Sequence, residues 1–242
     1  MAFRLYASTL LLASVLAGGC ATEATREPAL HTLKLGDHSD TLVVMLPGIN
    51  DRAEQFLVAG FVGGAASPES FDVVVVEPEL SDYFRGTLVE RLRADVIAPA
   101  RARGYSEIWL VGVSIGGYGS LLYAGEFPAE IRGVVLLSPY LGGRRVPRAI
   151  EAAGGLEAWR ASEGPSPFVD GWVALQTLLQ HSDATIVLGF GGDDRLAETY
   201  GPLLATLPRS RVYTVDGGHA WTTWTPLWQE IKATIESTAV AE

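Results

Sequence analysis

Cysteine is almost absent: the 242-residue chain carries one, Cys20. A single thiol excludes an intramolecular disulfide framework and any cysteine-cluster metal site. Histidine is also scarce. Four residues spaced widely along the chain do not suggest a His-rich metal centre, and no metal or organic cofactor is expected. Positive charge is in deficit, with 18 Lys and Arg against 28 Asp and Glu and a net charge of −10. A broad phosphate-tracking surface is therefore not expected, and nucleic acid is not an expected partner. No block of like charge reads as an interaction tail. No apolar run reaches the roughly 20 residues a membrane-spanning helix needs. What the chain does have is apolar content, 48% against 19% charged, which is enough to bury a core and to exclude global disorder. Its length fits one domain, and the α/β class commonly holds such a length in a single core.

The first 19 residues read as an export signal rather than as part of the fold. Arg4 supplies a short positive segment, and Leu5 to Ala17 is apolar apart from Ser and Thr. Ala17-Gly18-Gly19-Cys20 follows. Small residues ending on the chain's one cysteine resemble the lipobox of bacterial lipoproteins. Ala17 stands where that family prefers Leu, and Leu16 lies one position further back. The resemblance implies cleavage before Cys20, acylation of its thiol (palmitate or a similar chain), and a lipid-anchored protein of the bacterial cell envelope. Ala21 lacks the Asp that retains many such proteins at the inner membrane, which leans toward the outer membrane. A plain secreted or periplasmic soluble protein is the alternative. Residues 20–40 are polar and read as a tether, with an edge strand expected around Leu30 to Leu35.

From residue 41 the pattern becomes regular. Short β-branched runs recur at Thr41–Leu46, Phe71–Glu77, Glu107–Val113, Arg132–Leu137 and Ala184–Leu188, with a weaker one at Arg211–Val215. Near-continuous apolar runs of this length read as strands buried on both faces of a parallel sheet. Helical spacing appears between them, over Arg85–Arg103 with a kink or end at Pro99, Gly116–Phe127 and Pro226–Glu236. Alternating β and α elements imply an α/β domain, a mostly parallel central sheet flanked by helices over residues 41–242. The stretch from Tyr140 to Asp183 interrupts the rhythm with about 44 residues, including a helical piece near Gly171–His181. A connection so long usually carries structure or function, so 140–183 is expected as a cap. Phe168, Val169, Trp172 and Leu175 are candidates to line an acyl pocket beneath it.

Gly112-Val113-Ser114-Ile115-Gly116-Gly117 is the strongest chemical signal. A serine raised on a tight strand-to-helix turn is forced into strained backbone angles, and its neighbours two positions away must be small. A serine hydroxyl needs a base, and the base needs an orienting acid. His219, in Asp216-Gly217-Gly218-His219, follows the last strand. His181 precedes a strand and so belongs at the opposite end of a parallel sheet, which favours His219. The acid is expected after the strand Ala184–Leu188, where Gly191-Gly192-Asp193-Asp194-Arg195-Leu196 stands. Asp194 is the choice there and Asp193 the alternative. Arg144 and Arg145 near the expected mouth could hold an acidic group, or be solvated loop charges.

The motifs GVSIGG, GGDDRL and DGGHAW, in the order Ser, Asp, His, resemble the α/β-hydrolase family over about residues 40 to 234. The resemblance implies an acyl-enzyme route through Ser114, His219 and Asp194. It also implies a second oxyanion donor on the loop Leu46-Pro47-Gly48-Ile49-Asn50-Asp51, where Pro47 replaces the usual His. The N–H groups of Ile49 and Ile115 are the expected donors. The expected activity is hydrolysis of a small-molecule carboxylic ester or thioester at the cell envelope. The alternatives are a non-enzymatic binding lipoprotein of this fold, or an acyltransferase or peptidase using the same trio.

Overall fold

The computed structural model describes residues 28–37, 39–62, 70–161 and 168–239. The expected leader, Cys20 and most of the tether lie outside these residues, as does His38. Seven strands form one sheet in the order β1-β3-β2-β4-β5-β6-β7. They are β1 (His31–Leu35), β2 (Thr41–Leu46), β3 (Asp72–Glu77), β4 (Glu107–Val113), β5 (Gly133–Leu137), β6 (Thr185–Gly191) and β7 (Val212–Val215). The expected edge strand at the end of the tether is β1, antiparallel to β3, and every other pairing is parallel.

The alternation of side chains along each strand divides the core in two. Leu42, Val44, Leu46, Leu110, Val134, Leu136 and Leu188 face one layer of helices. That layer contains α2 (Leu80–Arg85), α3 (Leu88–Leu92), α4 (Ala98–Ala102), α5 (Ile115–Glu126), α6 (Arg145–Ala152), α7 (Val169–His181) and α8 (Gly201–Thr206). Val43, Met45, Val75, Trp109, Val111, Val135 and Val187 face the other. There α1 (Ala53–Val58) and α9 (Trp221–Ala239) cover them. This two-sided burial is why the strands read as continuous apolar runs rather than alternating ones. Among the described residues no helix is long and apolar enough to cross a membrane.

Three expectations shift in detail. The Pro99 break is a π-helical turn at Arg93–Ile97 that joins α3 to α4. A wider turn accommodates the N–H that proline lacks without ending the helix. The last helix begins at Trp221, not at Pro226, because Trp224, Leu227, Trp228 and Ile231 are buried along one face from its first turn. The Tyr140–Asp183 stretch contains α6 and α7, and α7 lies in the core. Val169, Trp172 and Leu175 are buried there instead of lining a pocket, and the Trp172 indole N–H donates to the Leu141 carbonyl at 3.1 Å. The apolar content that suggested a pocket is the buried face of a crossover helix. Phe168 alone of the four is half-buried, against Tyr118 and Tyr140.

Candidate active site

Ser114 stands between β4 and α5 with φ 52° and ψ −116°. The strain is held by main-chain bonds: its N–H donates to the Leu137 carbonyl at 2.9 Å, and its own carbonyl accepts from Tyr140 at 2.8 Å. The flanking glycines are a steric requirement. A Cβ on Gly112 would sit 2.3 Å from the Gly116 oxygen, and one on Gly116 would sit 2.1 Å from the Leu46 oxygen. These obstacles are backbone and cannot rotate away.

Sequence-distant loops meet the serine at the carboxyl ends of the strands. His219 follows β7, and its Nε2 lies 3.0 Å from Ser114 Oγ. Its Nδ1 lies 3.0 Å from Asp194 Oδ2 and 3.2 Å from Oδ1. These partners select one tautomer: Nδ1–H donates to the carboxylate and Nε2 accepts from the serine hydroxyl. Trp224 stands edge-on to the imidazole, with ring centres 5.0 Å apart. The loops carrying acid and base touch through backbone, since Asp193 N–H donates to the Gly217 carbonyl at 2.9 Å. A Cβ on Gly191 would come within 2.1 Å of that same carbonyl, which accounts for the glycine at 191.

Asp194 is the carboxylate brought to His219, whereas Asp193 is exposed on the turn. The Asp194 side chain is fully buried and also accepts the Leu196 N–H at 2.8 Å. Burial pushes its pKa up. Hydrogen bonding to His219, the nearby Ser138 hydroxyl and the Leu196 N–H outweigh that and hold it below the usual carboxylate range. Ser138 contributes by proximity, for its Oγ makes no hydrogen bond of normal geometry. His181 ends α7, exposed and just before β6, at the far end of the sheet as expected. Arg144 is exposed and pairs with Glu198.

The loop after β2 closes the site from the other side. Asp51 N–H donates to the Gly48 carbonyl at 3.2 Å, making a turn in which Asn50 has φ 64°. A Cβ on Gly48 would lie 3.5 Å from Ser114 Cβ, so this loop abuts the serine. Ile115 opens α5, where first-turn N–H groups have no intrahelical acceptor. Ile49 and Ile115 line one cavity of about 460 Å³. Two residues at this site carry no sequence signal for their role. Asp51 Oδ1 accepts the Trp221 indole N–H at 3.2 Å, tying the Ile49 loop to the segment just after His219. The partners are 170 positions apart, and nothing local to either one points to the other. Among the described residues no three His, Cys, Asp or Glu side chains gather as metal ligands.

A serine on a strained elbow within reach of an imidazole, in a parallel sheet of this order, defines an α/β-hydrolase fold. The chain belongs to the family described as "Putative esterase", which matches residues 68–235. It is a hydrolase enzyme acting on esters. Solved structures of the same fold include the S-formylglutathione hydrolase of Staphylococcus aureus, at 14% identity and a TM-score of 0.59, covering 87% of this chain and 98% of that one. A bacterial membrane phospholipase A has 18% identity and a TM-score of 0.58, covering 88% and 84%. Est1E from Butyrivibrio proteoclasticus has 15% identity and a TM-score of 0.55, covering 88% and 94%. No curated protein matches the sequence.

Proposed function

We propose that the protein is a serine esterase of the cell envelope that cleaves a carboxylic ester or thioester through an acyl-enzyme. Ser114 Oγ attacks the carbonyl carbon while its proton passes to His219 Nε2. Asp194 keeps the imidazole in the accepting tautomer and stabilises the imidazolium. The oxyanion is received by the N–H groups of Ile49 and Ile115, each worth about 3 kcal/mol of transition-state stabilisation. On collapse the carbonyl–oxygen or carbonyl–sulfur bond breaks, and His219 returns the proton to the leaving alcohol or thiol. Water, deprotonated by His219, then attacks the acyl-enzyme, releasing the acid and restoring Ser114.

The observation that carries this reading is the unbroken relay, 3.0 Å from Ser114 Oγ to His219 Nε2 and 3.0 Å from Nδ1 to Asp194 Oδ2. It is tested by Ser114→Ala. The wild type should turn over p-nitrophenyl esters and react with a fluorophosphonate probe, and the variant should do neither. Hydrolysis undiminished in the variant would overturn the reading. The envelope location rests on the Ala17-Gly18-Gly19-Cys20 sequence, outside the described residues. Metabolic labelling with a palmitate analogue should tag the wild type, and Cys20→Ser should lose the tag and leave the membrane fraction while keeping turnover. Membrane retention in that variant would refute the anchor.

A further inference from the structure

We infer that α2 provides the binding shelf for the acyl chain of the substrate, so that the enzyme selects neutral esters with a medium-length apolar acyl group. This deepens the proposed function and rests on that reading of the site. Large apolar side chains exposed on a folded surface are few, and clusters of them at a cleft mark contact with something apolar. Ile49 at 53% exposure, Leu80 at 42% and Phe84 at 60% are among the exposed ones here. Ile49 and Leu80 line the same cavity as Ile115. Phe84 is one turn beyond Leu80 on the same helix face, and its ring meets Phe168 edge-on at 6.5 Å. Tyr83 floors the cavity. It belongs to the core, and burial and then neighbouring Asp82 keep its phenol neutral.

Both residues proposed as oxyanion donors line the cavity with Leu80, so a carbonyl held by them has a path for one substituent along α2. Topology says which one. The leaving group must face His219, which protonates it. His219 follows β7, beside Trp221 and Trp224 on the α9 side of the sheet. α2 follows β3, across β2, β4, β5 and β6 from β7, and its Tyr83 packs on the opposite side. The substituent that runs over Leu80 and Phe84 is therefore the acyl chain. The polar wall of the cavity carries Asp51, Glu77 and Glu79 against Arg52, a balance that repels an anionic chain end.

The test is a p-nitrophenyl ester series from acetate to dodecanoate, scored as kcat/KM for octanoate over acetate. Full burial of a methylene is worth about fourfold, and a one-sided shelf about twofold. The wild type should thus favour octanoate by tens-fold. Leu80→Ser combined with Phe84→Ser should bring the ratio within about threefold of unity, as should each single change in part. Leu204→Ser, exposed on α8 away from the mouth, should leave the ratio as in the wild type. A flat wild-type profile, or a ratio unmoved by the double change, would overturn the shelf while leaving the hydrolase reading intact. Absence of any Ser114-dependent turnover would instead sink that reading. Loss of wild-type binding to phosphatidylcholine vesicles in the double variant, with the chain-length ratio unmoved, would make the patch a lipid-surface contact and overturn the shelf.

Discussion

Replacing Asp194 by Asn exchanges one carboxylate oxygen for an amide NH₂ and should remove nearly all activity. The direction follows from the hydrogen bonds. Asp194 Oδ1 accepts the Leu196 N–H at 2.8 Å, and Oδ2 is the atom nearest His219 Nδ1, at 3.0 Å. In the variant the amide oxygen must take the Oδ1 position, because an NH₂ there would face another N–H. The amide NH₂ then points at Nδ1 and forces it to accept. The imidazole proton moves to Nε2, which faces Ser114 Oγ at 3.0 Å and can no longer take the serine's proton. Loss of the correct tautomer in such a triad costs about 10⁴ in kcat, or roughly 5.4 kcal/mol at 1.36 kcal/mol per decade. The site would remain assembled, so KM should change little.

The assay is steady-state p-nitrophenyl ester hydrolysis, with circular dichroism to establish that the variant is folded. Asp193→Asn is the internal control. Its contribution to the site is a backbone N–H to Gly217, which the substitution leaves in place, so kcat should stay within about twofold of wild type. Retention of more than a tenth of kcat in Asp194→Asn, or an equal loss in Asp193→Asn, would refute the tautomer argument.

Other consequences follow from the same geometry. Gly116→Ala forces a Cβ to within 2.1 Å of the Leu46 oxygen, and no side chain can yield. The expected outcome is insoluble protein or a thermal midpoint lower by ten degrees or more, with near-wild-type stability refuting the close-approach argument. Trp221→Phe keeps the ring contacts with Phe56 and Trp224 but removes the N–H held by Asp51. A hydrogen bond to a carboxylate is worth about 1.5–3 kcal/mol when buried and less at this half-buried position, so kcat should fall about three- to tenfold, and an unchanged kcat would show that the tie does not position the loop. Finally, the folded protein favours ionised Asp194, whose pKa is lowered. Its contribution to stability is complete above the ordinary carboxylate value of about 3.9 and is lost as pH falls through the lower folded value. Calorimetry from pH 6 to pH 3 should show the wild type losing more stability than Asp194→Asn; equal losses would contradict the sign.

The strands and the Ser114, His219 and Asp194 cluster were legible because each leaves a local trace. A strand buried on both faces must be apolar at every position, so β2 and β4 announce themselves in six or seven letters. A nucleophile elbow must place glycines two residues either side of its serine, and Gly112 and Gly116 do so against backbone. Given a parallel sheet, chain order then assigns His219 and the Asp193–Asp194 pair to the same rim as Ser114. Only the choice between adjacent carboxylates needed coordinates, since one position along a turn reverses a side chain's direction. The parts that escaped depend on partners far along the chain. Apolar content in α7 is the same whether it lines a pocket or packs in a core, and burial of Val169, Trp172 and Leu175 decides for the core. The bond between Asp51 and Trp221 spans 170 positions and has no periodicity to betray it. The exposed apolar residues of α2 are the mirror case. Leu80 and Phe84 carry no signal in the sequence, and the proposed role of their exposure comes from Leu80 lining the Ile49–Ile115 cavity with Phe84 one turn further along α2. Pattern locates the atoms proposed to react, because strain and tautomer leave little choice of residue. Selectivity is written in which ordinary side chains the fold leaves uncovered beside those atoms, and for that the three-dimensional arrangement is required.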